Sequence, residues 1–171
     1  MILRVVVGLL LAGCGHRAGV ADAGAPDAGG VLRAAGVSGV HVASCADPSC
    51  GNGANPPLGG DHCGSTLPCR RYDAGQPRCA WIHNLEHGHA VLAYNCPDGC
   101  PALVEKLNAV WEAQPASKRI LVTPDPALPF RMAAIVWGFG WQGDGFDAAA
   151  VDEVLSHQDA EAPEAFLGCT P

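Results

Sequence analysis

The stretch Ile82-His83-Asn84-Leu85-Glu86-His87-Gly88-His89 puts three imidazoles and a carboxylate within two helical turns of chain. A neutral imidazole nitrogen is a good ligand for zinc and copper. On a helix, His83 and His87 share one face; on a strand, His83, His87 and His89 do. Either geometry presents at least two nitrogens to one ion, with Glu86 as a further ligand, a general base, or the group that orients an imidazole. His83-x-x-Glu86-His87 also matches the inverted zincin pattern, in which two histidines bind zinc and the glutamate activates water. That pattern belongs on a helix, whereas Asn84 and Gly88 are poor helix residues and an apolar run follows at once. A zinc hydrolase using Glu86 therefore ranks below a binding site. In the remaining alternative, the histidines, Asn84 and Glu86 form a buried hydrogen-bond network in a structural or protein-interaction module.

The elements that must position these groups lie mostly downstream. His89–Tyr94 reads as a buried strand, ended by the turn signal Asn95-Cys96-Pro97-Asp98-Gly99. Pro101 suits a first helical position, and Leu103, Val104, Leu107, Val110 and Trp111 recur at helical spacing up to Gln114-Pro115. Arg119–Thr123 and Arg131–Gly138 read as further strands, and Asp147 as the N-cap of a last helix carrying Val151, Val154 and Leu155. The expected fold class is α+β: a small mixed sheet with two main helices on one side or at its ends, plus a loop-rich, disulfide-braced N-terminal part. Residues 41–80 are rich in Gly, Pro, Asn and Asp and carry five cysteines, with little core of their own.

Nine cysteines are present. One, Cys14, ends Leu11-Ala12-Gly13-Cys14, which follows a single Arg4 and a short apolar run. This resembles a secretory signal closed by a bacterial lipobox, whose cysteine takes the lipid. The apolar run is far shorter than the ~20 residues of a membrane-spanning helix. Residues 1–13 are thus expected to be a cleaved lipoprotein signal, and 14–40, rich in Gly and Ala, a flexible tether. Within that tether, Val31–Ala35 has some helical character. A single globular domain is expected over 41–171. Gly15, not Asp, follows Cys14, which by the resemblance to exported lipoproteins favours the outer membrane.

The other eight cysteines, Cys45, Cys50, Cys63, Cys69, Cys79, Cys96, Cys100 and Cys169, are even in number, as expected of a disulfide framework in an oxidising envelope. Their spacings do not form the paired C-x-x-C knuckles of a zinc ribbon. Short-range pairing suggests Cys45–Cys50, Cys63–Cys69 and Cys96–Cys100, leaving Cys79 for Cys169. Three residues separate Cys96 from Cys100, so this is not a C-x-x-C redox motif.

Without residues 1–13 the chain carries 9 Lys and Arg against 17 Asp and Glu, a net charge of −8. Such a field repels phosphate backbones and excludes nucleic acid as a natural partner. The expected partner is the membrane, through the lipid, and a monomer is expected.

Asn55-Pro56-Pro57-Leu58-Gly59-Gly60-Asp61-His62, His83-Asn84-Leu85-Glu86-His87-Gly88, Leu121-Val122-Thr123-Pro124, Ala134-Ile135-Val136-Trp137-Gly138 and Phe146-Asp147 together resemble an uncharacterised bacterial envelope family, a domain of unknown function (DUF number 3105). The resemblance covers roughly residues 41–164. It departs at Leu58–Asp61 and Cys63, where the family typically has Thr-Ser-Gly-Pro and Trp. The resemblance implies that His62 belongs with His83 and His87, and it implies no established activity. The leading expectation is a copper or zinc site formed by His62, His83 and His87, with Glu86 or His157 as additions and Asp61 as a weaker candidate. With only two methionines, a thioether copper(I) site is disfavoured.

Overall fold

The computed structural model describes residues 29–169. The expected signal, the expected lipidation site Cys14 and the expected tether up to residue 28 lie outside these residues. The fold is α+β, as expected. Its centre is a five-stranded mixed sheet in the order β1-β7-β6-β4-β5, formed by β1 (Gly30–Arg33), β4 (Ala90–Tyr94), β5 (Ile120–Pro124), β6 (Met132–Val136) and β7 (Phe139–Gly143). Strands β4 and β5 are parallel, joined through helix α2 (Pro101–Ala113), and the other pairings are antiparallel. Two short strands, β2 (His41–Val42) and β3 (His62–Cys63), pair in parallel apart from the sheet.

The central strands are apolar on both sides because both faces are covered. In β4, Val91 and Ala93 point to one face, and Ala90 and Leu92 to the other. The first face packs on helix α1 (Arg78–Glu86) through Trp81, Ile82 and Leu85. The second packs on α2 through Leu107, and on α3 (Ala148–Ser156) through Val151, Val154 and Leu155. Asp147 caps α3 as expected, accepting from the Ala150 amide. No described helix is long and apolar enough to cross a membrane.

The structure corrects three expectations. There are three α-helices, not two, and they lie on both faces of the sheet. The unforeseen one is α1, so His83 and Glu86 do sit on a helix, with His87 as its C-cap. Residues Cys79–Leu85 are all buried, so α1 has no polar face and its sequence lacks the amphipathic period that announces a helix. Gly88 is not a defect in that helix but its stop. It takes a left-handed φ of 78°, and its amide returns to the Leu85 carbonyl. The tether also ends earlier than expected. Gly30–Arg33 is an edge strand on β7, not helix, and the Arg33 guanidinium lies 4.4 Å from the centre of the Phe139 ring.

Three of the four expected disulfide pairings are replaced. Cys96–Cys100 forms as expected, but the others are Cys45–Cys63, Cys50–Cys79 and Cys69–Cys169. Short-range pairing failed because the loop region closes at longer range, across separations of 18 and 29 residues. It is bolted to β3 and α1, elements whose existence the loop composition concealed. Cross-links of 18 and 29 residues contribute about 3 kcal/mol each by the loop-entropy relation.

A Cβ on Gly88 would lie 2.0 Å from Asp159 Oδ1, a carboxylate paired with Arg119, which itself binds the Gly88 carbonyl. Gly88→Ala is expected to destabilise the protein by about 2 kcal/mol or more, combining the positive φ with this contact. A thermal melt unchanged from the parent would contradict the helix stop described here.

Candidate functional site

The side-chain cluster is assembled where β2, β3 and the end of α1 meet. Parallel pairing sets His41 beside His62, because these two residues are register partners. Helix α1 supplies His83 and, three residues later on the same face, Glu86. The three imidazoles converge on one carboxylate oxygen. Glu86 Oε2 lies 2.9 Å from His62 Nε2, 3.8 Å from His83 Nε2 and 4.0 Å from His41 Nε2. The His62 and His83 rings stack at 4.9 Å between centroids, and His41 meets both edge-on. His62 and His83 are buried, Glu86 is nearly so, and His41 is exposed, so the cluster opens to solvent on the His41 side.

The loop before β3 is built to aim His62. Gly60 adopts a φ of 110°, and its carbonyl lies 2.8 Å from His62 Nδ1. A carbonyl can only accept, so Nδ1 carries a proton and donates it, which in the neutral ring leaves Nε2 as a lone pair. Asp61 stands outside the cluster. Its Oδ1 accepts from the Val40 amide and holds the start of β2, while its own amide donates to Asn52 Oδ1. Disulfides Cys45–Cys63 and Cys50–Cys79 tie this region to β3 and α1.

Two kinds of buried histidine are therefore present. His89, fully buried, is satisfied at both nitrogens: Nδ1 accepts from Asn84 Nδ2 at 2.9 Å, and Nε2 donates to the Leu167 carbonyl at 2.9 Å. Asn84 also accepts from the Leu67 amide and donates to its carbonyl, both at 2.8 Å. This is the structural network anticipated for part of the motif. His62 Nε2 and His83 Nδ1, by contrast, are buried without a hydrogen-bond partner. The 2.9 Å approach of His62 Nε2 to Glu86 is close, but it lacks the alignment of a hydrogen bond. Burial, reinforced by the neighbouring His87, His62 and His41, pushes the His83 imidazole down to about 4, and the Ser65 backbone only partly offsets this. Burial likewise holds His89 at about 4. Both are neutral rings at neutral pH.

The remaining expected residues lie elsewhere. His87 points to Glu164, 3.2 Å away, instead of joining His62 and His83. His157 caps α3 and packs its ring 4.1 Å from that of Phe139, in neither group. Cys69 and Cys169 sit within 4 Å of His89 but are bonded to each other, which removes them as thiolate ligands. A cavity of about 440 Å³ lies beside Leu58, Gly59 and Asn52, but no side chain of the cluster lines it. His41 was missed because its sequence neighbours, Val40 and Val42, carry no ligand-type residue; only strand pairing brings it in.

Fold and site together define a small disulfide-braced α+β domain with a histidine and carboxylate cluster at a helix end. The chain belongs to the DUF3105 family, described as a protein of unknown function, whose profile matches residues 43–170. His62, His83 and Glu86 lie within the matched segment, and His41 just before it. No curated protein and no solved structure matches the chain.

Asn84→Ala is expected to cost roughly 2–4 kcal/mol, because it leaves the partly buried Leu67 amide and carbonyl and the fully buried His89 Nδ1 without their partner. Chemical denaturation measures this. A loss under ~0.5 kcal/mol, the range of a surface change, would contradict the network.

Proposed function

We propose that the protein is a lipid-anchored component of the bacterial envelope that binds a divalent transition metal, zinc or copper, through His41, His62, His83 and Glu86. The observation that carries this reading is the His62 Nε2 lone pair, buried and unpartnered, 2.9 Å from a carboxylate oxygen. Two acceptors this close inside a protein repel unless something positive lies near both. A proton on His62 would serve that one contact, leaving His83 and His41 directed at the same oxygen. A metal ion serves all four at once.

The donor spacings support this chemistry. Donors around a tetrahedral zinc with Zn–N near ~2.0–2.1 Å lie about 3.3 Å apart. The distances of 2.9, 3.8 and 4.0 Å bracket that value. Three imidazoles and one carboxylate are a borderline donor set that suits zinc(II) or copper(II) more than calcium or copper(I). The Gly60 carbonyl on His62 Nδ1 is the orienting contact that metal-bound histidines generally have. With Glu86 turned into the cluster and His87 away from it, the inverted zincin assignment loses a ligand, which favours binding over hydrolysis.

The envelope location is supported by the lipobox at Leu11–Cys14. The cysteine pairing agrees with it: all eight downstream cysteines are in disulfides, which form in oxidising compartments, and Cys14 is left for the lipid.

The test uses the full chain, exported and purified in detergent. It is expected to retain one zinc or copper ion through gel filtration, and His62→Ala with His83→Ala is expected to lose it. Zinc at about 100 times its Kd is expected to add about 2.7 kcal/mol of stability to the parent chain. Absence of both retained metal and any change in melting with zinc or copper would overturn the reading and leave the cluster as structural.

A further inference from the structure

Glu86 belongs to two sets of donors. Its Oε2 faces His41, His62 and His83, and the same side chain groups with His87 and Glu164, whose ligand atoms lie within 4.8 Å of one another. The two sets adjoin, because His83 and His87 are four residues apart and their rings are 4.5 Å between centroids. Glu164 is not a passing surface side chain at this point. Its amide donates to the Glu86 carbonyl at 3.0 Å, so the backbone fixes it at the end of α1, with Oε2 3.2 Å from His87 Nε2.

We propose that His87 and Glu164 form a second metal subsite and that Glu86 bridges it to the first, making the centre binuclear. The ligand is a second zinc(II) or copper(II) ion, and the inference rests on the reading of the first site given above. An ordinary His87–Glu164 ion pair needs only those two groups, whereas here Glu86 brings a second carboxylate to the same place. Glu86 and Glu164 are like charges held close by the helix end and the backbone, an arrangement that a cation between them stabilises. Paired metal ions in proteins lie about 3.5–4 Å apart, a separation a bridging carboxylate can span.

The two subsites differ in kind. The first has three imidazoles, two of them buried. The second has one imidazole and a half-exposed carboxylate from Glu164, so water must complete its coordination. The second ion is therefore the weaker. This arrangement also accounts for His87, which faces Glu164 and not the first set.

Zinc titration of the full chain by calorimetry, paired with cobalt(II) substitution followed by magnetic and optical spectroscopy, tests the proposal. The wild type is expected to bind two ions, the second at least about tenfold more weakly, a difference of ~1.4 kcal/mol. The second cobalt is expected to couple magnetically to the first. The double variant His87→Gln with Glu164→Gln, shown to be folded by its circular dichroism and melt, is expected to bind one ion with the first affinity and show no coupling. A single ion in the wild type, or two retained in the double variant, would overturn the bridged centre while leaving the first site standing. No ion in the wild type would overturn the first site as well.

Discussion

A hydrogen bond from His62 Nδ1 to the Gly60 carbonyl decides the character of the whole region. Once that nitrogen is committed as a donor, the neutral ring has its lone pair on the other, and the fold places that atom against Glu86 in a nearly closed space. Proteins rarely bury such a contact without compensation, because each unpaired polar atom costs on the order of 1–3 kcal/mol. The contrast with His89 is instructive. It is equally buried and lies six residues after His83, yet both its nitrogens are satisfied. The same motif therefore contains one histidine satisfied at both nitrogens, His89, and another, His83, with a buried nitrogen left unpaired.

Much of the surrounding architecture serves to hold those groups in place. Helix α1 is buried on nearly all sides, pinned by Trp81, Ile82 and Leu85 against the sheet and by the Cys50–Cys79 bond against the loop. Asn84 clamps the Leu67 loop from inside that helix, and Gly88 stops it so that His87 and Glu86 stand at its end. The β2–β3 pair is too short to be stable alone. Disulfide Cys45–Cys63 and the contact of Asp61 with Val40 give it the rigidity needed to present two adjacent imidazoles. A region poor in apolar residues thus obtains precision from covalent links and side-chain-to-backbone bonds, not from a core of its own.

The sheet and the two amphipathic helices were legible in the sequence, because β4, β5, β6, α2 and α3 carry clear apolar runs or helical periods. Strand β7, Phe139–Gly143, was not, since its glycines and polar Gln142 interrupt the pattern. Nor was β1, whose Gly30–Arg33 reads as tether and becomes strand only by pairing with β7. Helix α1 hid for the opposite reason, being buried all round. In the site, His62, His83 and Glu86 were named in advance, the first through the family resemblance. His41 was not, because its role depends on a register between two-residue strands that no local signal encodes. The same lack of long-range information misassigned the disulfides around it.

X-ray absorption at the metal edge of the singly loaded full chain examines the donor set directly. The account predicts a first shell of nitrogen and oxygen only, near ~2.0–2.1 Å for zinc, with the outer-shell scattering of three imidazoles. That scattering should fall by one ring in His41→Ala. A sulfur shell near ~2.3 Å, or a spectrum with no imidazole contribution, would mean that the ion sits elsewhere, and the central claim would be wrong.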